Sequence, residues 1–157
     1  MEIDTLFGLP AHPLIVHAAV ILLPLAAIGM IVVALVPRSR RHYAPLVFGV
    51  ALAATVAVGL AQQSGESLQG QVVKTEQLRE HTRQGDTVLP WAIAVTIVSA
   101  AVAAEPYVRD RLAKVPPKAV AGVLIAASLV AGIGATWTVV EVGHSGANSV
   151  WHDTSSG

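Results

Sequence analysis

The chain has 157 residues, of which 54% are hydrophobic and 13% are charged, and its mean hydropathy is +0.62. Soluble domains carry about 25% charged residues, so this composition argues against a water-soluble fold and indicates a membrane protein. Ten basic and ten acidic residues give zero net charge, which argues against nucleic-acid binding, and the absence of cysteine excludes disulfides and thiolate sites.

Four segments are long and apolar enough to cross a bilayer, which takes about 20 residues. They lie at about 13–36, 43–63, 87–105 and 119–142. The N-terminus is acidic rather than basic, so the first segment is interpreted as a retained helix and not as a cleaved signal peptide. A polar loop at 64–86, whose composition also fits a helix extension or a short amphipathic helix, and a polar tail at 143–157 complete a single domain, 1–157. We therefore predict an all-α, antiparallel four-helix transmembrane bundle.

Small side chains at helical spacing let neighbouring helices approach closely, and two segments carry them. In the second segment they are Gly49, Ala53, Ala57 and Ala61. In the fourth they are Ser128, Ala131, Gly132 and Ala135. The abundance of alanine explains the first set equally well. Such faces also offer a surface for homo-oligomerisation. Pro24, inside the first segment, removes one backbone hydrogen bond and can kink the helix.

Basic residues are concentrated in the connection between segments one and two and in the connection between segments three and four. They are Arg38, Arg40, Arg41, Arg109, Arg111, Lys114 and Lys118. Short cytoplasmic loops are enriched in Lys and Arg, so we expect a multi-pass protein of the cytoplasmic membrane with both termini on the extracytoplasmic side. Trp91, Trp137 and Trp151 then fall toward the outer half, as membrane-interface anchors do.

This orientation places five of the six histidines at the outer end of the bundle. They are His12, His17, His81, His144 and His152, and Glu66 follows the second segment on the same side. His17 lies about one turn inside an apolar run, where an ionisable side chain is costly, so we expect it to point into the bundle. Glu141 stands three residues before His144 and can orient its imidazole, or can equally lie exposed at the interface.

Imidazoles contributed by different helices can hold haem b or a copper, zinc or iron ion. The candidate cofactor ligands are His17, His81 and His144, and a metal ion would add His12 and Glu66. The sequence contains no Gly-rich phosphate loop, no His-Glu-x-x-His helix and no Gly-x-Ser-x-Gly elbow, so no catalytic residue is assigned and enzymatic activity is not expected.

Four short motifs, taken in order, together resemble a known family. They are Leu9-Pro10-Ala11-His12-Pro13-Leu14-Ile15-Val16-His17, Ser64-Gly65-Glu66-Ser67-Leu68, His81-Thr82-Arg83-Gln84-Gly85-Asp86 before Leu89-Pro90-Trp91, and Gly143-His144-Ser145-Gly146-Ala147 with Val150-Trp151. Across nearly the whole chain they resemble the bacterial membrane-protein family called domain of unknown function 2231, in its actinobacterial form. The resemblance implies a four-helix membrane protein akin to cytochrome b domains, which hold haem between histidines of facing helices. Only His42 lies at the inner end, so at most one haem is expected, on the outer side.

Two functions are open at this point. The first is a cofactor-binding protein for electron transfer, which would work with a membrane redox partner. The second is a non-enzymatic accessory protein whose histidines form a hydrogen-bonded polar cap on the outer helix ends. Two histidines facing each other across a porphyrin-wide gap would favour haem, and three or more converging ligand atoms would favour a metal ion.

Overall fold

The computed structural model describes residues 5–6, 9–69, 83, 85–112 and 114–151 of the chain. Four long helices make up most of it: α1 (Ala11–Leu35), α2 (Arg40–Gln69), α3 (Val88–Val108) and α4 (Pro117–Trp151). Before α1, the two-residue strands β1 (Thr5–Leu6) and β2 (Leu9–Pro10) pair antiparallel. All four helices are long and apolar enough to cross a membrane, so the predicted all-α architecture is confirmed.

Short turns connect the helices at one end of the bundle. The 3-10 turn Pro37–Ser39 joins α1 to α2, and a second 3-10 turn, Arg109–Leu112, follows α3. The Ser39 hydroxyl donates to the Val36 carbonyl at 2.8 Å, which closes the first turn. The predicted basic loop is therefore shorter than expected, because α2 already begins at Arg40. Pro24 does not end α1, which is helical on both sides of it.

Two helices continue beyond the predicted spans. The polar residues 64–69 extend α2, which is one of the alternatives for this stretch, and residues 143–151 belong to α4 and not to a polar tail. Once a helix has formed, each added residue gains one backbone hydrogen bond, so a polar stretch without proline can extend it. The remainder of the predicted loop and tail, at 70–82, 84 and 152–157, lies outside the described residues.

The interior of the bundle is built largely from alanine. Fully buried alanines come from every helix: Ala26 and Ala27 in α1, Ala51 and Ala54 in α2, Ala92 in α3 and Ala135 in α4. Helix α1 packs against α2 and α4, α3 packs against the same two helices, and α1 also contacts α3 across the bundle. Because lipid tails are as apolar as the core, close van der Waals packing of small side chains favours association of the helices.

The small-residue prediction is confirmed for α4 and is wrong for half of the α2 set. In α4, all four predicted residues are buried. In α2, Gly49 and Ala53 are exposed, and a Cβ added at Gly49 would meet nothing within 4 Å. Ala57 is buried, beside Ala51 and Ala54, which the prediction did not include. Alanine occurs on more than one face of α2, so the spacing alone could not choose the face that packs.

A pair of threonines links α2 to α3 within the apolar part of the bundle. The Oγ1 atoms of Thr55 and Thr96 lie 2.8 Å apart. Thr55 Oγ1 also lies 3.0 Å from the Ala92 carbonyl oxygen, and Thr96 Oγ1 lies 3.1 Å from the Ala51 carbonyl oxygen. Each hydroxyl therefore has a partner on the opposite helix.

We expect Thr96→Val to lower the free energy of unfolding by about 1 kcal/mol, because interhelical hydrogen bonds in membranes contribute about that much. Thr136→Val is the matched control. The Thr136 hydroxyl donates to the Gly132 carbonyl of its own helix at 2.8 Å, so its loss removes no interhelical bond. Unfolding in mixed micelles, followed by circular dichroism, measures both variants, and equal effects would contradict the prediction.

Candidate functional sites at the two ends of the bundle

One end of the bundle, here called the histidine end, carries His17 near the start of α1 and His144 in the last part of α4. A Cβ added at Gly132 of α4 would lie 3.6 Å from Ala27 Cβ and 2.8 Å from Ile31 Cδ1, so these three residues mark a point of close contact between the two helices. His144 is 12 residues beyond Gly132, and His17 is 10 residues before Ala27 and 14 before Ile31. Because the helices are antiparallel, the two histidines stand at the same level along the bundle.

Both of these histidine side chains are exposed, so the prediction that His17 points into the bundle is wrong. At about 100° per residue, His17 lies roughly 160° around α1 from the buried Ala19. His144 lies nine residues beyond the buried Ala135, which is roughly half a turn around α4. An apolar run does not identify its inward face, because the face that meets lipid is apolar as well.

The other predicted ligands are described only in part. His12 lies in the first turn of α1, seven residues before Ala19, and Glu66 lies in α2. The side chains of these two residues are outside the described part of the structure. For His81 and His152, the backbone lies outside it as well. Among the side chains that the structure describes, no group of three or more histidines and carboxylates is placed to hold a metal ion. The assignment of His12, Glu66 and His81 as ligands thus stays a prediction.

The predicted shared face of Glu141 and His144 is present, and both side chains are exposed on it. Trp137, which is 69% exposed, lies on the same face of α4. This face is turned away from the buried residues Ala131 and Ala135. The carboxylate and the imidazole therefore lie on the outer surface of the bundle.

The opposite end, here called the basic end, contains a buried ion network that the sequence analysis missed. Arg40 is 1% exposed and Glu105 is 5% exposed. Arg40 Nη1 donates to Glu105 Oε2 at 3.3 Å, and Arg40 Nη2 donates to the Ala34 carbonyl at 2.5 Å. Arg109 Nε and Nη2 both donate to Glu105 Oε1, at 2.9 and 2.5 Å.

The local structure explains why these groups meet. Arg40 begins α2 directly after a three-residue turn, so its side chain reaches back to the last turn of α1, where carbonyl groups lack partners within the helix. The negative end of the α1 dipole also favours a cation there. Glu105 and Arg109 are four residues apart, which places them on one face of α3. Burial requires such pairing, because an unpaired charge in an apolar interior is very costly.

A signal for this network is present in the sequence. Glu105 is the only carboxylate in α3, and Arg109 follows it by four residues. A single acidic residue near the end of an apolar segment, with a cation at that spacing, predicts an ion pair that faces protein. The involvement of Arg40, 65 residues away, has no such local signal.

The family described as "Predicted membrane protein (DUF2231)" matches residues 8–155 of the chain. The matched region includes the histidine end and the basic end of the bundle. No curated protein and no solved structure matches the chain.

Proposed function

Because the chain belongs to the DUF2231 family of predicted membrane proteins, we propose that it is a multi-pass protein of the cytoplasmic membrane whose histidine end faces outward. Both termini lie on the extracytoplasmic side, and the basic end lies in the cytoplasm. Support for this orientation comes from the basic residues at the connections of α1 to α2 and of α3 to α4, since short cytoplasmic loops are enriched in Lys and Arg.

The function that we propose is binding of an imidazole-preferring cofactor at the histidine end, for electron transfer with a membrane redox partner. The cofactor is haem b or a copper or iron ion, each of which can change its oxidation state, whereas a zinc ion would bind to the same imidazoles without transferring an electron. The supporting observation is that His17 and His144 stand at one level on neighbouring helices. Because both are exposed, a cofactor that they share lies at the surface of the bundle and not between its buried faces.

The remaining ligands complete this proposal. His12 precedes the buried Ala19 by seven residues, which is close to two helical turns, so the two positions share a face of α1. His12 and His17 are five residues apart and lie on different faces of α1, so a cofactor at the surface would take His17 from this helix and not His12. A haem would need two imidazoles from different helices, whereas a metal ion would take three or four ligand atoms, with His81 and Glu66 among them.

We expect purified protein to show a Soret band with sharp reduced α and β bands, or to contain a stoichiometric metal ion. An absorption spectrum of the oxidised and the dithionite-reduced sample, with metal analysis on the same sample, measures both. His17→Ala and His144→Ala should lose the cofactor, because each removes an imidazole from the shared level. His42→Ala is the matched control, since His42 is also exposed but lies at the basic end.

The alternative function is an accessory membrane protein whose histidines stabilise the outer helix ends as a polar cap. It is favoured by the exposure of both described histidines at the histidine end. In that case a folded sample is colourless and free of metal, and His17→Ala lowers the free energy of unfolding without removing a cofactor. That result would contradict the cofactor proposal.

A further inference from the structure

The basic end of the bundle carries an excess of positive charge. Seven of the ten basic residues of the chain and two of its ten acidic residues, Glu105 and Asp110, lie at the basic end. With neutral histidine, the basic end therefore carries a charge of +5 and the rest of the chain carries −5. Because Glu105 and Asp110 do not balance the seven cations, the basic end attracts anions from outside the chain.

The ion network brings the two basic connections together. Arg40 comes from the α1–α2 connection, whereas Glu105 and Arg109 come from the end of α3. Two guanidinium groups share one carboxylate, and arginine does not lose its proton in proteins, so the network has a net positive charge. An anion from outside the chain can neutralise this excess.

Arg109 presents that excess charge at the surface. Its side chain is 53% exposed, whereas the side chain of Glu105 is 6% exposed. Glu105 holds Nε and Nη2 of Arg109 and so fixes the plane and direction of the guanidinium. A guanidinium that is already oriented loses less conformational entropy when it binds a phosphate, and its fork geometry matches phosphate oxygens.

Two tyrosines indicate that this guanidinium lies at the depth of lipid headgroups. Tyr43, three residues after Arg40, is 60% exposed, and Tyr107, two residues before Arg109, is 63% exposed. Tyrosine is enriched where the bilayer meets water, with its ring at headgroup level. Leu46, one helical turn beyond Tyr43 and 66% exposed, presents an apolar surface on the side where acyl chains would lie.

We propose that the basic end binds the headgroup of an anionic phospholipid, with its phosphate on Arg109. The cations Arg38, Arg41, Arg111 and Lys114 are exposed in the same two connections and add to the positive charge of this end. Charge complementarity selects an anionic over a zwitterionic headgroup. The exposed side chains of Tyr43, Tyr107 and Leu46 lie where they would meet lipid, which favours a lipid over a soluble anion as the ligand. This site is independent of the histidine end and of any cofactor bound there.

Native mass spectrometry of the full chain in a neutral detergent tests the proposal. The probes are phosphatidylglycerol, phosphatidylcholine with the same acyl chains, and inorganic phosphate. Phosphatidylglycerol should bind more tightly than phosphatidylcholine, and added salt should weaken its binding. The double variant Arg111→Gln/Lys114→Gln, which leaves the ion network intact, should weaken phosphatidylglycerol binding about 25-fold, since each cation near a membrane contributes about fivefold.

The matched control is Lys74→Gln/Arg83→Gln, which also removes one lysine and one arginine, here from the sequence between α2 and α3. It should leave phosphatidylglycerol binding unchanged. Arg109→Lys keeps the cation beside Glu105 but loses the fork, and it should weaken binding while the helical circular dichroism is retained. Equal binding of the two lipids, or equal losses in the two double variants, overturns the proposal. Displacement of the lipid by millimolar inorganic phosphate also overturns it, because the site would then be one for free phosphate.

Discussion

Glu105→Gln is expected to lower the free energy of unfolding by about 3–5 kcal/mol, because removal of one partner from a buried ion pair leaves an uncompensated charge. Arg40 is 1% exposed, so its charge would stay buried without a carboxylate partner. Glutamine has nearly the same shape as glutamate, which separates the loss of charge from the creation of a cavity. Unfolding in mixed micelles, followed by circular dichroism, measures the effect.

Two further variants test this explanation. Glu141→Gln removes a carboxylate that is exposed on α4, so it should change the free energy of unfolding by less than about 0.5 kcal/mol. The double variant Arg40→Met/Glu105→Leu should be more stable than Glu105→Gln, because it leaves no unpaired charge in the buried position, and Arg109, which also loses Glu105, is 53% exposed to solvent. If the double variant were as unstable as Glu105→Gln, the charge would not be the cause.

Gly134→Ala is expected to lower the free energy of unfolding by about 1–3 kcal/mol, because extra atoms in a packed helix interface force side chains or backbone to shift. The Trp91 ring lies directly on Gly134, with Cε3 2.6 Å from the place where a Cβ would stand. A rigid indole ring cannot bend away from this contact as a flexible side chain would. The same unfolding measurement compares Gly134→Ala with the parent protein.

Gly122→Ala is the matched control on the same helix. A Cβ at Gly122 meets nothing within 4 Å, so this variant should be about 0.5–1 kcal/mol more stable, as alanine is preferred in helices. Trp91→Leu should be better tolerated in the Gly134→Ala background than alone, because it removes the ring that the new methyl group meets. An increase in stability for Gly134→Ala would show that the close contact has no structural role.

The number of helices and their order were predictable from the sequence. A backbone inside a bilayer must satisfy its hydrogen bonds internally, so each long apolar segment forms a helix almost regardless of its neighbours. The helix ends were less predictable. At 64–69 the polar composition left a helix extension and a loop open, and at 143–151 it indicated a tail, whereas α2 and α4 extend through both stretches.

Which face of each helix is buried was harder still to predict from the sequence. This uncertainty limited the prediction of the candidate site. His17 was expected to point inward because it interrupts an apolar run, but it lies on the side of α1 opposite Ala19. Gly49 and Ala53 were expected in a helix interface and are exposed. In water, an apolar stripe marks the buried face of a helix, whereas in lipid both faces are apolar and the pattern carries little information.

By itself, the sequence determined that this protein has four membrane-length helices, with most of its basic residues in two of the connections between them. These features depend on composition and on order along the chain. Only the tertiary structure decided that Arg40, one of the cations of the α1–α2 connection, forms a buried ion network with Glu105 and Arg109. That pairing depends on how α2 packs against α3, because groups 65 residues apart meet only when the helices that carry them are in contact.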